Sequence, residues 1–181
     1  MTVAGTVNSF KPTWAPILAP AFALIEGFVL GVISLIFENG GGIAGGGYSG
    51  IVLQALLGAV RVFGSMLALY RTRIITVTAR FRAVVSTMML GIFFMYLLSC
   101  GLSFLDADVP YLNSGGTFGI IISLVVIGVA SMMLLVDFDM IEQGARSGAP
   151  RYMEWYGAFA LLVTLILIYM EILRLLAKLR R

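Results

Sequence analysis

The sequence predicts an all-α integral membrane protein with about five transmembrane helices, and three observations carry that prediction. Of the 181 residues, 60% are hydrophobic and only 12% are charged, against about 45–50% and about 25% in an ordinary soluble domain. The mean hydropathy is +1.03, which leaves more apolar surface than a soluble fold of this length can hide. The 12 basic and 9 acidic residues leave charge-free runs at 39–60, 83–105, 109–136 and 155–170, with 12–37 broken only by Glu26. About 20 helical residues cross a hydrocarbon core about 30 Å thick. The runs therefore give spans at roughly 17–37, 50–70, 83–104, 117–138 and 153–173 in a single transmembrane domain, 1–181. Helices are expected because an open strand would leave backbone groups unsatisfied in lipid.

Each element follows in order. Met1–Phe10 carries no positive charge and leads to no small-residue cleavage site, so it reads as a polar lead-in rather than a signal peptide. Pro12, Pro16 and Pro20 mark the entry to the first span, where proline is tolerated in a first helical turn. Glu38–Gly50 is a glycine-rich turn. With no Gly-Lys-Ser/Thr after it, it is not a phosphate loop. The second span leads into the basic segment Arg71–Arg82, with Arg71, Arg73, Arg80 and Arg82. The third leads into the acidic segment Leu105–Gly116, with Asp106 and Asp108. The fourth and fifth are joined by Glu142–Tyr152, which carries Arg146 and Arg151. No internal repeat is visible, which disfavours an inverted-repeat transporter.

Cytoplasmic loops collect Lys and Arg. The two basic connections and Lys11 then lie on the cytoplasmic side, and the glycine-rich and acidic connections on the other. The N-terminus is expected in the cytoplasm. The tail cations Arg174, Lys178, Arg180 and Arg181 disagree, since five full spans would place them outside. Either the last span does not fully cross, or the tail breaks the rule.

Several function classes are excluded or unsupported. The chain has no His and one Cys, Cys100, which reads as an inert thiol. It has no disulfide framework, no zinc or iron–sulfur ligand set and no Ser/His or Cys/His nucleophile pair. An enzyme is not expected, and no cofactor is implied. A net charge of +3 needs no nucleic-acid partner.

A charge at bilayer depth costs at least about 2.5–3.5 kcal/mol and marks a functional candidate. Glu26, Arg61, Asp137 and Glu171 qualify. At 1.5 Å per residue, Glu26 lies about 13 Å from the cytoplasmic edge and Arg61 about 15 Å from the opposite edge. If the fourth helix runs to about Gly144, Asp137 lies about 10 Å inside the cytoplasmic edge. These three are expected to share a buried cluster in which Arg61 offsets a carboxylate. Asp139 and Glu142 continue the acidic run toward the cytoplasm. Other readings stay open: Arg61 as a snorkelling or structural residue, Asp137 and Asp139 as an interfacial helix end, and Glu171 as a simple pair with Arg174. Gly157, Thr164, Glu171 and Lys178 recur every seven residues and share one face, expected to point into the bundle. Gly27 and Gly31 form a small-xxx-small pair suited to packing.

The segment VDFDMIEQGARSGAPRYMEWYGAFALLVTLILIYMEILRLLAKL, beginning at Val136, resembles the end of the Bax inhibitor-1 family, the YccA-like transmembrane Bax inhibitor motif proteins, in a bacterial form. IEGFVLGVIS (25–34), IVLQALLGAV (51–60), ALYRTRIITVTARFR (68–82) and GTFGIIISLVVIGVASMMLLVDFD (116–139) fit the same family. The likeness runs from Asn8 onward. The resemblance implies a bundle of about seven helices. This chain would then begin just before the third, with the first two absent by truncation, an alternative start or a shorter design.

The resemblance further implies calcium leak across a bacterial plasma membrane, pH sensitivity, and stress or cell-death control. It implies a sensing carboxylate pair on the last two helices. Asp137 matches the first, and is the one residue that could touch calcium, weakly. At the second position this chain offers Thr164 or a nearby Leu, and Glu171 lies about two turns away. Two function classes remain. One is a pH-sensitive cation leak channel, for calcium ions or protons. The other is a non-conducting regulator or scaffold, for example a modulator of a membrane protease. The latter would meet a membrane-protein partner through Gly27, Gly31, Gly157 and Ala160.

Overall fold

The computed structural model describes residues 15–38, 50–103 and 117–179. Among the described residues there are five helices and no strand: α1 (Ala15–Glu38), α2 (Ile51–Arg71), α3 (Ala79–Ser103), α4 (Thr117–Arg146) and α5 (Tyr152–Leu179). Each holds a stretch long and apolar enough to cross a membrane, and the chain is a multi-pass membrane protein. Met1–Phe10, Lys11, Pro12, most of the glycine-rich connection, Asp106 and Asp108, the Cys100 side chain, Arg180 and Arg181 lie outside the described residues.

The helices outrun the apolar spans at their charged ends. The fourth span was expected to stop near 138, but α4 continues to Arg146. Charged side chains end a hydropathy window without ending a helix. Here Asp139 accepts from Gln143 Nε2 at 2.8 Å and Glu142 from Arg146, both one turn apart, and such pairs support a helix. The stop comes at Gly148, whose φ of +65° suits glycine. Its N–H bonds the Ala145 carbonyl at 3.4 Å, and Ala149 N–H bonds the Gly144 carbonyl at 3.0 Å, closing the helix as a Schellman turn. The connection to α5 is therefore only 147–151, shorter than the segment from Glu142 expected above. α3 begins at Thr78, whose hydroxyl accepts the Phe81 N–H at 3.2 Å as an N-cap.

α5 is the centre of the bundle and packs on α1, α2 and α4, while α3 packs on α4. Phe22 meets Phe159 edge-on at 4.9 Å, and the hydroxyls of Ser34 and Tyr169 lie 2.7 Å apart, so α1 and α5 run in the same direction. Ala55, Gly58 and Ala59 bring α2 close to α5. A Cβ on Gly58 would sit 3.2 Å from Ile172 Cγ2. Small residues are what permit such approach in lipid. Ala59, Ala130, Leu134, Phe138 and Ile168 form one core cluster. Ile51, Ala55, Leu173 and Ala177 form a second toward the other end.

Candidate functional site

The candidate site is the seam between α4 and α5. The run Asp137-Phe138-Asp139 presents successive side chains about 100° apart around the helix. Asp137, 3% exposed, turns to α5 and accepts a hydrogen bond from Thr164 Oγ1 at 2.7 Å. Phe138 turns to α2, where Phe63 and Tyr70 meet its ring. Asp139 turns to α3, where Arg82 Nη2 pairs with it at 2.5 Å. One helical turn of α4 thus touches three different helices.

Thr164 lies 4% exposed. Its oxygen is also 3.1 Å from the Ala160 carbonyl. A hydroxyl has one proton and two acceptor sites, so it can serve either Asp137 or Ala160 as donor at any instant. Two polar networks flank this pair. Toward the basic connection, Tyr70 donates to Glu142, which also takes Arg146. Toward the other end, Glu171 is 2% exposed, and its Oε1 accepts from Tyr96 and from Arg174 Nη1, the latter at 3.0 Å. Arg174 also stacks over the Tyr96 ring at 5.1 Å. Lys178 Nζ reaches the Gly119 carbonyl and Ser123 Oγ, each at 3.1 Å.

The heptad face of α5 lies where its spacing predicts. Gly157, Thr164 and Glu171 are buried, and Lys178 is half-buried against α4. Asp137 and Thr164 are brought together, while Asp139 and Glu171 each hold a separate ion pair.

The expected cluster of Glu26, Arg61 and Asp137 is not formed. Arg61 is exposed. The α2 face toward α5 is set by Ala55 and Ala59, and Arg61 stands about 200° round from Ala59. Glu26 is half-buried on the α1 face that also carries Phe22 and Ser34. Neither belongs to any ion pair among the described residues. Gly27 and Gly31 do not pack within the bundle, since both are exposed and a Cβ on either would meet nothing within 4 Å. Gly157 is an internal contact, where a Cβ would fall 2.7 Å from Ile141 Cγ1.

Tyr70, Tyr96 and Arg82 escape a reading of the sequence. A tyrosine inside an apolar run looks like any aromatic lining residue, and only the carboxylates opposite it reveal its role as donor. No group of three or more acidic or thiol ligands able to hold a metal occurs among the described residues.

A family model described as Bax inhibitor 1 like matches residues 2–181. No curated protein and no solved structure matches the chain.

Proposed function

The chain belongs to the Bax inhibitor 1 like family, and from that premise we propose that it is a pH-sensitive cation leak channel of a bacterial plasma membrane, with calcium as its ion and its N-terminus in the cytoplasm. The observation that carries the proposal is the buried Asp137–Thr164 pair between the two helices that share the widest contact.

The pair can register a proton without a second carboxylate. With Asp137 ionised, the Thr164 hydroxyl donates to it. With Asp137 protonated, its own O–H can donate to Thr164 Oγ1, and the threonine proton can turn to the Ala160 carbonyl at 3.1 Å. Both arrangements satisfy every group involved, yet they place different charge in the seam. A proton that binds one packing of α4 against α5 better than another shifts the balance between them.

Calcium fits as a passing ion rather than a resident one. It takes six to eight oxygen ligands, and one carboxylate with one hydroxyl supplies too few to retain it. Orientation is supported by the basic connection after α2, with Arg71 and Arg73. Of the tail cations that oppose it, Arg174 is engaged by Glu171 and Lys178 by Gly119 and Ser123.

The test is calcium entry into proteoliposomes across a pH series. Wild type should leak calcium at a pH-dependent rate. Asp137→Asn, which holds the site permanently uncharged, should flatten that dependence. An absence of flux at every pH, or an unchanged profile in the variant, refutes the proposal.

A further inference from the structure

Arg61 stands in the middle of α2, ten residues from Ile51 and ten from Arg71. That is about 15 Å from either end, half the thickness of a hydrocarbon core of about 30 Å. It is exposed, it lies on the face turned away from α5, and among the described residues it enters no ion pair or side-chain hydrogen bond. Snorkelling serves cations near helix ends, but Arg61 is equally far from both. An arginine held in lipid at that depth is costly, so the protein in its membrane needs a group there that accepts hydrogen bonds from its N–H donors.

The rest of the face is shaped for close contact. Gly64 and Ala68 are both exposed and four residues apart, below Arg61 on the same side of the helix. A Cβ on Gly64 would meet nothing within 4 Å. Spacing of this kind lets two helix backbones approach in a bilayer, and a guanidinium offers a planar fork matched to a carboxylate.

A second copy of the chain is poorly equipped to fill this role. The described carboxylates at similar depth are Glu26 and Asp137. Asp137 is buried against Thr164. Glu26 shares the α1 face whose Phe22 and Ser34 meet α5. Neither is displayed on an outer surface. We propose that the outer face of α2, centred on Arg61, docks a membrane-spanning helix of another protein that carries a carboxylate near the bilayer midplane. Such docking is independent of whether the chain conducts ions.

The experiment uses the full chain, donor-labelled and reconstituted in phosphatidylcholine vesicles. The probe is an acceptor-labelled, leucine-based membrane-spanning peptide with one central Glu. A matched peptide carries Gln there, and another carries Glu two turns off centre. Energy transfer should show the central-Glu peptide binding about tenfold more tightly than either control, the scale of one interhelical polar contact. Arg61→Leu should abolish that preference. Gly64→Leu, which keeps the charge and blocks the approach, should weaken binding of all three peptides. Both substitutions lie on the outer face, and circular dichroism checks that the helices persist. Equal binding of the Glu and Gln peptides overturns the proposal, as does a preference that survives Arg61→Leu. So does an Arg61-dependent self-association of the chain that the peptide cannot displace.

Discussion

Gly157 is a close contact of α5 with α4, and replacing it tests that contact directly. A Cβ there would lie 2.7 Å from Ile141 Cγ1 and 3.3 Å from its Cδ1, but 3.9 Å from its Cβ. Ordinary contact between carbons is about 3.5–4.0 Å, so Gly157→Ala demands close to an ångström of movement. Overpacking of this kind costs about 1–3 kcal/mol. An opposing gain exists, because alanine is the better helix former by about 1 kcal/mol. Gly128 isolates it: that residue is on α4, exposed, with nothing within 4 Å of an added Cβ. Gly128→Ala should report the propensity gain alone, and Gly157→Ala should fall about 1–3 kcal/mol below it. The clash also predicts which partner relieves it. Ile141→Val keeps a branch carbon at the Cγ1 position and should not rescue, whereas Ile141→Ala removes the offending atom and should. Unfolding of the purified protein in mixed micelles by SDS titration gives each free energy, and the double-mutant cycle gives the coupling. Equal stability of the Gly157→Ala and Gly128→Ala proteins would refute the close crossing, as would equal rescue by Val and Ala at Ile141.

Other perturbations read other parts of the structure. Thr164→Val removes the only described hydroxyl at Asp137 and should blunt the pH response of calcium flux about as strongly as Asp137→Asn, while thermal unfolding shows that both proteins remain folded. Tyr96→Phe leaves Glu171 Oε1 with Arg174 alone, beside an Oε2 that already lacks a partner; a loss of about 1–3 kcal/mol is expected in the same SDS titration. Arg82→Leu breaks an ion pair whose side chains are 42% and 16% exposed, so the cost should be at most about 1 kcal/mol and should shrink in high salt. Gly148→Ala forces an alanine to φ +65° and should cost about 1–2 kcal/mol, seen as a lower melting temperature by circular dichroism.

The number and type of the helices were legible because lipid imposes so coarse a rule: long apolar runs must be helical. The position of each charge along its helix was legible for the same reason, since it is counted along the chain. The direction in which a side chain points was harder to read. Arg61 and Asp137 were placed at compatible depths, yet they stand on helix faces that never meet. A hint was present in Ala55 and Ala59, small residues one turn apart that mark the packed face and leave Arg61 behind it. On α5 the recurrence of Gly157, Thr164, Glu171 and Lys178 every seven residues supplied direction, and there the inward face follows from the pattern. The ends of α4 and α5 were underestimated because hydropathy drops at Asp139 and at Arg174, while helical hydrogen bonding does not.

The helix against which α1, α2 and α4 pack is also the one that follows all of them in the chain. About 140 residues separate the end of α1 at Glu38 from the end of α5 at Leu179. At about 5–20 residues per second of synthesis, α1 waits about 7–28 s in the membrane before its principal partner exists. During that interval Glu26, Ser34 and the small face of α2 have no α5 to cover them. Early helices held that long are open to insertion factors, to quality-control proteases and to mispairing with one another. Biogenesis should therefore be most sensitive to lesions late in the reading frame, where loss of α5 leaves α1, α2 and α4 without the helix they pack on.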